Sequence, residues 1–181
     1  DPALRFRPAT RVENACASGA AAVRTGLNEI AAGARFVLVI GVEKMTAAAG
    51  TEIGDILLGA SYRREEGETE GGFAGIFGRI AANYFQRYGD RSASLARIAA
   101  KNHRNGVGNP FAHLRKDLGF DFCNTVSEKN PLVAGPLRRT DCSLVSDGAA
   151  ALILTDVETA STMPKAVRFR AMNQVNDYLP L

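Results

Sequence analysis

The sequence predicts an α/β fold, and three observations carry this prediction. Two apolar runs with the composition of buried strands, residues 36–42 and 149–154, are separated by segments with helical periodicity. The 18 glycines favour helices that pack closely against a sheet. Of the 181 residues, 46% are hydrophobic and 23% are charged, which is enough apolar surface to build a core. This composition argues against a disordered chain.

The first predicted helix begins near Ala17. Small or apolar residues then recur at the three- and four-residue spacing of one buried helix face: Ala20, Val23, Leu27, Ile30 and Ala34. Gly33 supplies a C-terminal stop. The run 36–42 follows and, being rich in β-branched residues, predicts a strand buried on both faces, as in a parallel sheet.

The middle of the chain predicts an insertion near residues 46–140. Residues 45–72 are rich in glycine and charge and predict an excursion over the surface. A helix is expected over Phe73–Tyr88, and a second begins at Ser92 as N-cap and ends near Gly106. The residues expected to face inward are Phe77, Ile80, Ala81, Tyr84 and Phe85 in the first helix, and Leu95, Ile98 and Ala99 in the second.

The core resumes after Asp147 and Gly148. Residues 149–154 predict a second buried strand, and a third is expected over 167–175, after the break at Met163 and Pro164. The chain therefore predicts a strand–helix–strand core in two sequence pieces around an insertion.

Composition also limits the function classes. Three cysteines are too few, and odd in number, for a disulfide scaffold. With two histidines they never fall at metal-ligand spacing, so no metal site is expected. No apolar run approaches the ~20 residues of a membrane helix and no signal-peptide pattern opens the chain. A formal charge of +3 is too small to indicate nucleic acid. We expect a cytoplasmic protein without a membrane or nucleic-acid partner.

Cys16 is the sharpest candidate for chemistry because it lies where the first helix begins. A helix start has unpaired N–H groups and a partial positive charge, which stabilise a thiolate. Its neighbours Ala15, Ala17 and Gly19 are small and leave room for a substrate. The same N–H groups could donate to an oxyanion. The alternative from the residues alone is an inert, buried cysteine that helps the helix pack.

Several segments, in order along the chain, resemble the thiolase family. Val12–Gly19, with Gly41–Met45, resembles its acyl-enzyme region, and Ser146–Ala151 resembles the block that returns the chain to the core sheet. Segments similar to the sterol-carrier-type and archaeal-type thiolases, and to the end of the N-terminal half, are Phe73–Tyr88, Lys101–Pro110 and Gln174–Asp177. Glu13 departs from the pattern, because many thiolases have Asn or Ser there.

The resemblance implies the N-terminal half of a layered αβαβα thiolase fold, incomplete in this chain. Residues 1–45 would be the first core piece, 46–140 the loop domain, and 141–181 the second core piece. Cys16 would be the nucleophile that takes an acyl group from 3-ketoacyl-CoA or acetyl-CoA, with its own N–H in an oxyanion hole. Phe77 and Ser143 match residues that contact the pantetheine of CoA. The CoA thioester is then a substrate, and no permanently bound cofactor is expected.

The resemblance also implies that the catalytic base is elsewhere. In thiolases a histidine motif and a second cysteine motif belong to the C-terminal half, and neither occurs in this sequence. We therefore expect a structural or loop-orienting role for His103, with a position near CoA or the active site as the alternative. Cys123 and Cys142 are expected to pack. We expect no turnover from this chain alone, activity from the complete protein, and a homodimer or homotetramer, as is usual for the family.

Two other functions stay open. A thiolase-like subunit could act with a partner, for example as a retro-aldolase beside an OB-fold protein. A non-catalytic module could bind CoA or lipid. Aldol chemistry does not need the cysteine, so Cys16 favours acyl transfer. A Cys–His hydrolase fits less well, because nothing marks a peptide-binding groove.

Overall fold

The computed structural model describes residues 2–178, which form two compact units. The first unit comprises residues 2–43 and 147–176, and the second comprises residues 44–146 with 177 and 178. The first holds a two-stranded sheet with helices, and the second is mainly helical with a small hairpin. The predicted α/β class is confirmed. No helix of the described residues is long and apolar enough to cross a membrane.

Seven helices and four strands are formed by residues 2–178. The helices are α1 Ser18–Ala31, α2 Gly50–Leu58, α3 Arg63–Glu66, α4 Gly72–Tyr88, α5 Ser92–Val107, α6 Gly119–Asn124 and α7 Val157–Ser161. The strands are β1 Phe36–Glu43, β2 Leu132–Ala134, β3 Leu137–Arg138 and β4 Gly148–Thr155. Short 3-10 turns lie at Pro2–Leu4, Ala15–Ala17 and Arg139–Asp141.

The sheet of the first unit pairs β1 with β4. The register runs from Phe36 opposite Thr155 to Glu43 opposite Gly148. Helix α1 packs on one face of this sheet at Gly26, where a Cβ atom would lie 2.7 Å from Leu154 Cδ1. Gly33 has φ +104° just after α1 and ends it as predicted. A side chain at Gly26 would therefore require Leu154 to shift.

The prediction of a parallel sheet buried on both faces is wrong. The two strands are antiparallel, and α1 covers only one face of them. On the other face Leu38, Ile40 and Val42 are 51%, 56% and 72% exposed. An apolar run indicates that a strand forms, but it carries no information on the direction of its partner.

The predicted third strand over residues 167–175 is also wrong. Residues 165–178 form neither helix nor strand, and Val167 and Val175 are almost fully exposed. A strand exists only where its backbone N–H and C=O groups pair with a neighbour, and this segment pairs with none among the described residues. A side-chain hydrogen bond of 2.5 Å from Arg24 Nη1 to Gln174 Oε1 links it to α1.

In the second unit the predicted bounds of both long helices hold to within one residue, but the predicted inward face of α4 is wrong for three of its five residues. Its buried residues are Gly75, Ile76 and Gly78. Of the residues expected inside, Phe77, Ile80 and Tyr84 are exposed, whereas Ala81 and Phe85 are half-buried. The buried glycine face exists because β2 approaches closely: a Cβ at Gly78 would lie 2.8 Å from the carbonyl carbon of Ala134. Hydrophobic periodicity does not detect a face built from glycine.

Two further differences concern the same unit. The expected surface excursion over residues 45–72 contains α2 and α3. In α5, Ala96 and Ala99 pack with Cys123, whereas Ile98, predicted inside, is 52% exposed. Ser92 is the first helical residue and not the N-cap; Arg91 holds that position. The N–H of Ser92 donates to Asp90 Oδ1 at 2.7 Å, so an aspartate side chain takes the capping role.

Candidate active site

Cys16 lies in the 3-10 turn Ala15–Ala17, directly before α1, and is exposed. Ser18 is the first residue of that helix, and the neighbours Ala15 and Ala17 are small. The alternative of a buried, packing cysteine does not hold for this residue, since a reagent in solution can reach it. The thiol is therefore sterically available as a nucleophile.

The backbone next to Cys16 is strained. Ala15 has φ +45°, in the left-handed region that residues with a side chain seldom adopt. Holding alanine there costs on the order of 1–2 kcal/mol, because Cβ crowds the following carbonyl oxygen. Such strain persists only where the surroundings enforce it, and it occurs often at functional sites.

Two side chains hold this turn. Glu13 Oε1 accepts a hydrogen bond from the N–H of Ala15 at 2.6 Å. Ser18 Oγ accepts from the N–H of Asn14 at 2.7 Å and donates to the carbonyl oxygen of Ala15 at 2.8 Å. Both polar groups of Ala15 are thus bound by side chains, one on each side of Cys16 in the sequence.

The hydrogen bonds leave one backbone donor free. The N–H of Ala17 donates to the carbonyl of Asn14 at 2.9 Å, and that of Ser18 donates to the carbonyl of Ala15. The N–H groups of Asn14 and Ala15 donate to the side chains of Ser18 and Glu13. Of the five backbone N–H groups of residues 14–18, that of Cys16 is therefore the one without an acceptor in the part of the chain the structure describes. A free N–H on the nucleophile's own backbone can donate to the oxyanion that forms on the carbonyl oxygen when the sulfur attacks an acyl group.

The other predicted site residues belong to the second unit. Phe77 is 45% exposed on α4, and its ring lies edge-on to Phe73 with centroids 5.2 Å apart. Ser143 is exposed beyond the turn Arg139–Asp141, with Oγ 3.3 Å from the carbonyl oxygen of Leu144. His103 is half-buried on α5. Cys16 belongs to the first unit.

The remaining cysteines lie in surroundings that disfavour a thiolate. Cys123 is fully buried beside α5, as predicted, and burial raises the pKa of its thiol. Cys142 is half-buried; burial, and then the carboxylate of Asp141, raise its pKa. No group of three His, Cys, Asp or Glu side chains among residues 2–178 is placed to hold a metal ion. Cys16 is thus the exposed thiol of the three.

Sequence reasoning missed the residues that support Cys16. Glu13 is visible in the sequence only as a departure from a family pattern, and Ser18 only as part of the segment Val12–Gly19. A signal for Ser18 exists, because serine at a helix start binds nearby backbone N–H groups. No comparable signal predicts that the carboxylate of Glu13 turns toward the N–H of Ala15.

Comparison with known proteins places the sequence in a family. The model of the thiolase N-terminal domain matches residues 5–121. An acetyl-CoA acetyltransferase of Methanothermobacter thermautotrophicus is 36% identical, over 84% of this chain and 39% of its own length. The acetyl-CoA acetyltransferase of Methanocaldococcus jannaschii is 37% identical, over 84% of this chain and 38% of its own length. Sterol carrier protein 2 of Bos taurus is 30% identical, over 94% of this chain and 33% of its own length.

These relatives agree with the predicted resemblance to archaeal-type and sterol-carrier-type proteins. The chain spans less than two fifths of the length of the three relatives that it matches.

Proposed function

The chain belongs to the thiolase family, and from this premise we propose that it carries the acyl-accepting cysteine of an acyltransferase that acts on CoA thioesters. The single observation that carries the proposal is Cys16 itself. It is exposed at the start of α1, and its own N–H is free of an acceptor among the described residues. A nucleophile and an oxyanion donor are thereby supplied by one residue.

In the proposed reaction the thiolate of Cys16 attacks the thioester carbonyl carbon. A new C–S bond forms, and the carbonyl electron pair becomes an oxyanion that the N–H of Cys16 stabilises. Collapse of this intermediate expels the CoA thiolate, which takes up a proton, and leaves an acyl group on the sulfur. One thioester replaces another, so the step is nearly balanced in energy and reversible.

We propose that Phe77 and Ser143 contact the pantetheine arm of CoA. Their exposure supports this role, since both are open to a ligand. Replacing Phe77 by alanine is expected to raise the KM for acetyl-CoA with little change in kcat. Ile80, similarly exposed on the same helix, provides the matched control as Ile80→Ala. Equal effects of the two variants would contradict a specific role for Phe77.

We further propose that the complete protein that carries this chain performs the turnover. The resemblance assigns the base to a histidine motif that these 181 residues do not contain. The expected behaviour of the chain alone is therefore acyl acceptance without thiolysis. Thiolysis of a 3-ketoacyl-CoA by the purified 181-residue chain would contradict this part of the proposal. A homodimer or homotetramer in the cytoplasm remains part of the same proposal.

The central test is acyl labelling of the complete protein. After incubation with acetyl-CoA, peptide mapping by mass spectrometry is expected to find one acetyl group on the peptide that contains Cys16, with release of CoA. Cys16→Ser should abolish this label, and Cys142→Ser, the control, should keep it. A label that persists in Cys16→Ser would overturn the assignment. Binding of CoA without any acylation would instead favour the CoA- or lipid-binding function.

A further inference from the structure

We propose that Glu13 is a positioning residue for the acyl transfer: its carboxylate holds Ala15 in the left-handed conformation and so keeps the N–H of Cys16 directed to the acyl group. The inference rests on the proposed role of Cys16 as nucleophile. It adds a residue that acts only through the backbone, with no contact to substrate required.

The contact that carries the proposal is the 2.6 Å hydrogen bond from the N–H of Ala15 to Glu13 Oε1. This bond joins the carboxylate of Glu13 to Ala15, the residue of the turn that has a positive φ. Hydrogen bonds to ionised groups are stronger than those between neutral groups, so this one can offset the strain at Ala15.

The same bond decides which backbone donor stays free. If the carboxylate were absent, the N–H of Ala15 would lose its acceptor, and the strained φ would lose its main support. The neighbouring peptide could then rotate toward an ordinary helical conformation. Because the N–H of Cys16 belongs to the peptide that follows Ala15, its direction would change with that rotation.

Ser18 holds the opposite side of the turn and cannot replace Glu13. Its hydroxyl binds the N–H of Asn14 and the carbonyl oxygen of Ala15, at 2.7 and 2.8 Å, but not the N–H of Ala15. The hydroxyl also lies 3.3 Å from Glu13 Oε1, which links the two supports. Loss of Glu13 therefore removes a contact that no other described side chain supplies.

The experiment compares two reactions of the same thiol in the complete protein. Acetylation by acetyl-CoA passes through an oxyanion on the carbonyl oxygen, whereas alkylation by iodoacetamide displaces iodide and forms no oxyanion. Glu13→Ala is expected to slow acetylation of Cys16 by about 10- to 100-fold, with a much smaller effect on alkylation. Glu13→Gln keeps an oxygen acceptor and should acetylate within about fivefold of the wild type.

Relief of strain supplies a second variant. Glycine adopts a positive φ without penalty, so Ala15→Gly should restore much of the acetylation rate in the Glu13→Ala background. Glu29→Ala, an exposed change of the same charge on α1, is the matched control and should leave both reactions unchanged. Acetylation at the wild-type rate in Glu13→Ala would overturn the proposal. So would an equal fall in alkylation, or a Glu13→Gln variant as slow as Glu13→Ala.

A stability measurement separates this inference from the proposed function. If the wild type does not accept an acetyl group at Cys16, the proposed function fails. The contact between Glu13 and Ala15 is still tested by the unfolding free energies of Glu13→Ala, Ala15→Gly and the double variant. Ala15→Gly is expected to change stability by different amounts with and without Glu13, since both act on the same backbone angle. Equal changes in the two backgrounds would overturn the role of Glu13.

Discussion

Arg138 and Asp141 form an ion pair that lies almost entirely out of solvent. Arg138 Nε and Asp141 Oδ2 are 3.1 Å apart, and each side chain is 3% exposed. The same carboxylate oxygen accepts from the backbone N–H of Arg138 at 2.8 Å. The guanidinium also donates to the carbonyl of Ser92 at 2.6 Å and to Asn124 Oδ1 at 3.3 Å. One arginine thereby joins β3, α5 and α6 of the second unit.

Removing one member of this pair should be severely destabilising. Arg138→Met leaves Asp141 as an uncompensated buried charge, and we expect a loss of about 3–5 kcal/mol in the free energy of unfolding. The measurement is urea unfolding followed by circular dichroism. Arg139→Met, at the exposed neighbouring arginine, is the control and should change stability by less than about 0.5 kcal/mol. Similar losses in the two variants would contradict a specific role for the pair.

The contact between α4 and β2 predicts a strict requirement for glycine at position 78. A Cβ there would lie 2.8 Å from both the carbonyl carbon and the carbonyl oxygen of Ala134, and backbone atoms cannot move aside cheaply. Gly78→Ala should therefore cost about 1–3 kcal/mol through overpacking. Gly54→Ala in α2 meets nothing within 4 Å and should be neutral or stabilising by roughly 0.5–1 kcal/mol. Thermal unfolding of both variants tests this contrast.

The sequence predicts the long helices and both core strands well, because their signals are local. Helix α1 ends before Gly33, and α5 begins at Ser92 and ends one residue past Gly106. Strand direction and the buried side of α4 are not local properties. The antiparallel partner of β1 enters more than one hundred residues later, and the buried face of α4 is set by the approach of Ala134 to Gly78.

The candidate site is likewise only partly predictable from the sequence. A cysteine among small residues at a helix start can be identified from the sequence, and Cys16 is indeed exposed there. The sequence does not predict the positive φ of Ala15, because alanine has no local reason to adopt that conformation. Nor does it predict that the carboxylate of Glu13 binds the N–H of Ala15. The roles of Phe77 and Ser143 in binding CoA stay predictions.

Asn130 provides a test of the buried polar network. The residue is fully buried, and its Nδ2 lies 3.1 Å from the carbonyl oxygens of both Phe122 and Thr125. Its Oδ1 accepts from the N–H of Thr140 at 3.0 Å. Asn130→Asp keeps the shape but replaces the donor by an oxygen that faces carbonyl oxygens. We expect a loss of about 3–5 kcal/mol in urea unfolding at neutral pH.

Asn105→Asp, an exposed change of the same kind, is the control for that experiment. It should leave the free energy of unfolding almost unchanged, because water can solvate its new charge. If Asn130→Asp were as stable as this control, the donor role of Nδ2 would be wrong.

Asp156 predicts a defined pH dependence. The backbone N–H of Thr159, 2.6 Å from Oδ1, holds the pKa of this carboxyl below its ordinary value. Because the pKa of Asp156 is lower in the folded state than in the unfolded chain, its carboxylate stabilises the fold at pH values above the unfolded-state pKa. This stabilisation is lost as the pH falls through the lowered pKa of the folded state. Asp156→Ala should lower the urea midpoint at neutral pH, and the difference from wild type should close in strong acid.

The control for this pH profile is Glu158→Ala, an exposed acidic residue in the first turn of α7. It should leave the urea midpoint near that of the wild type at neutral pH. A difference between Asp156→Ala and wild type that stays constant down to strong acid would contradict capping by the ionised carboxylate.

The three cysteines should react with iodoacetamide in a fixed order. Cys16 is exposed, so it should be alkylated first in the native protein at neutral pH. Cys142 should react more slowly, because burial and Asp141 raise its pKa and reduce its thiolate fraction. Cys123 is fully buried, with a pKa raised by burial, and should react only after unfolding in urea. Time-resolved peptide mapping gives the order, and Cys16→Ser identifies the fast site. Faster labelling of Cys142 would mean that exposure does not govern thiol reactivity in this protein.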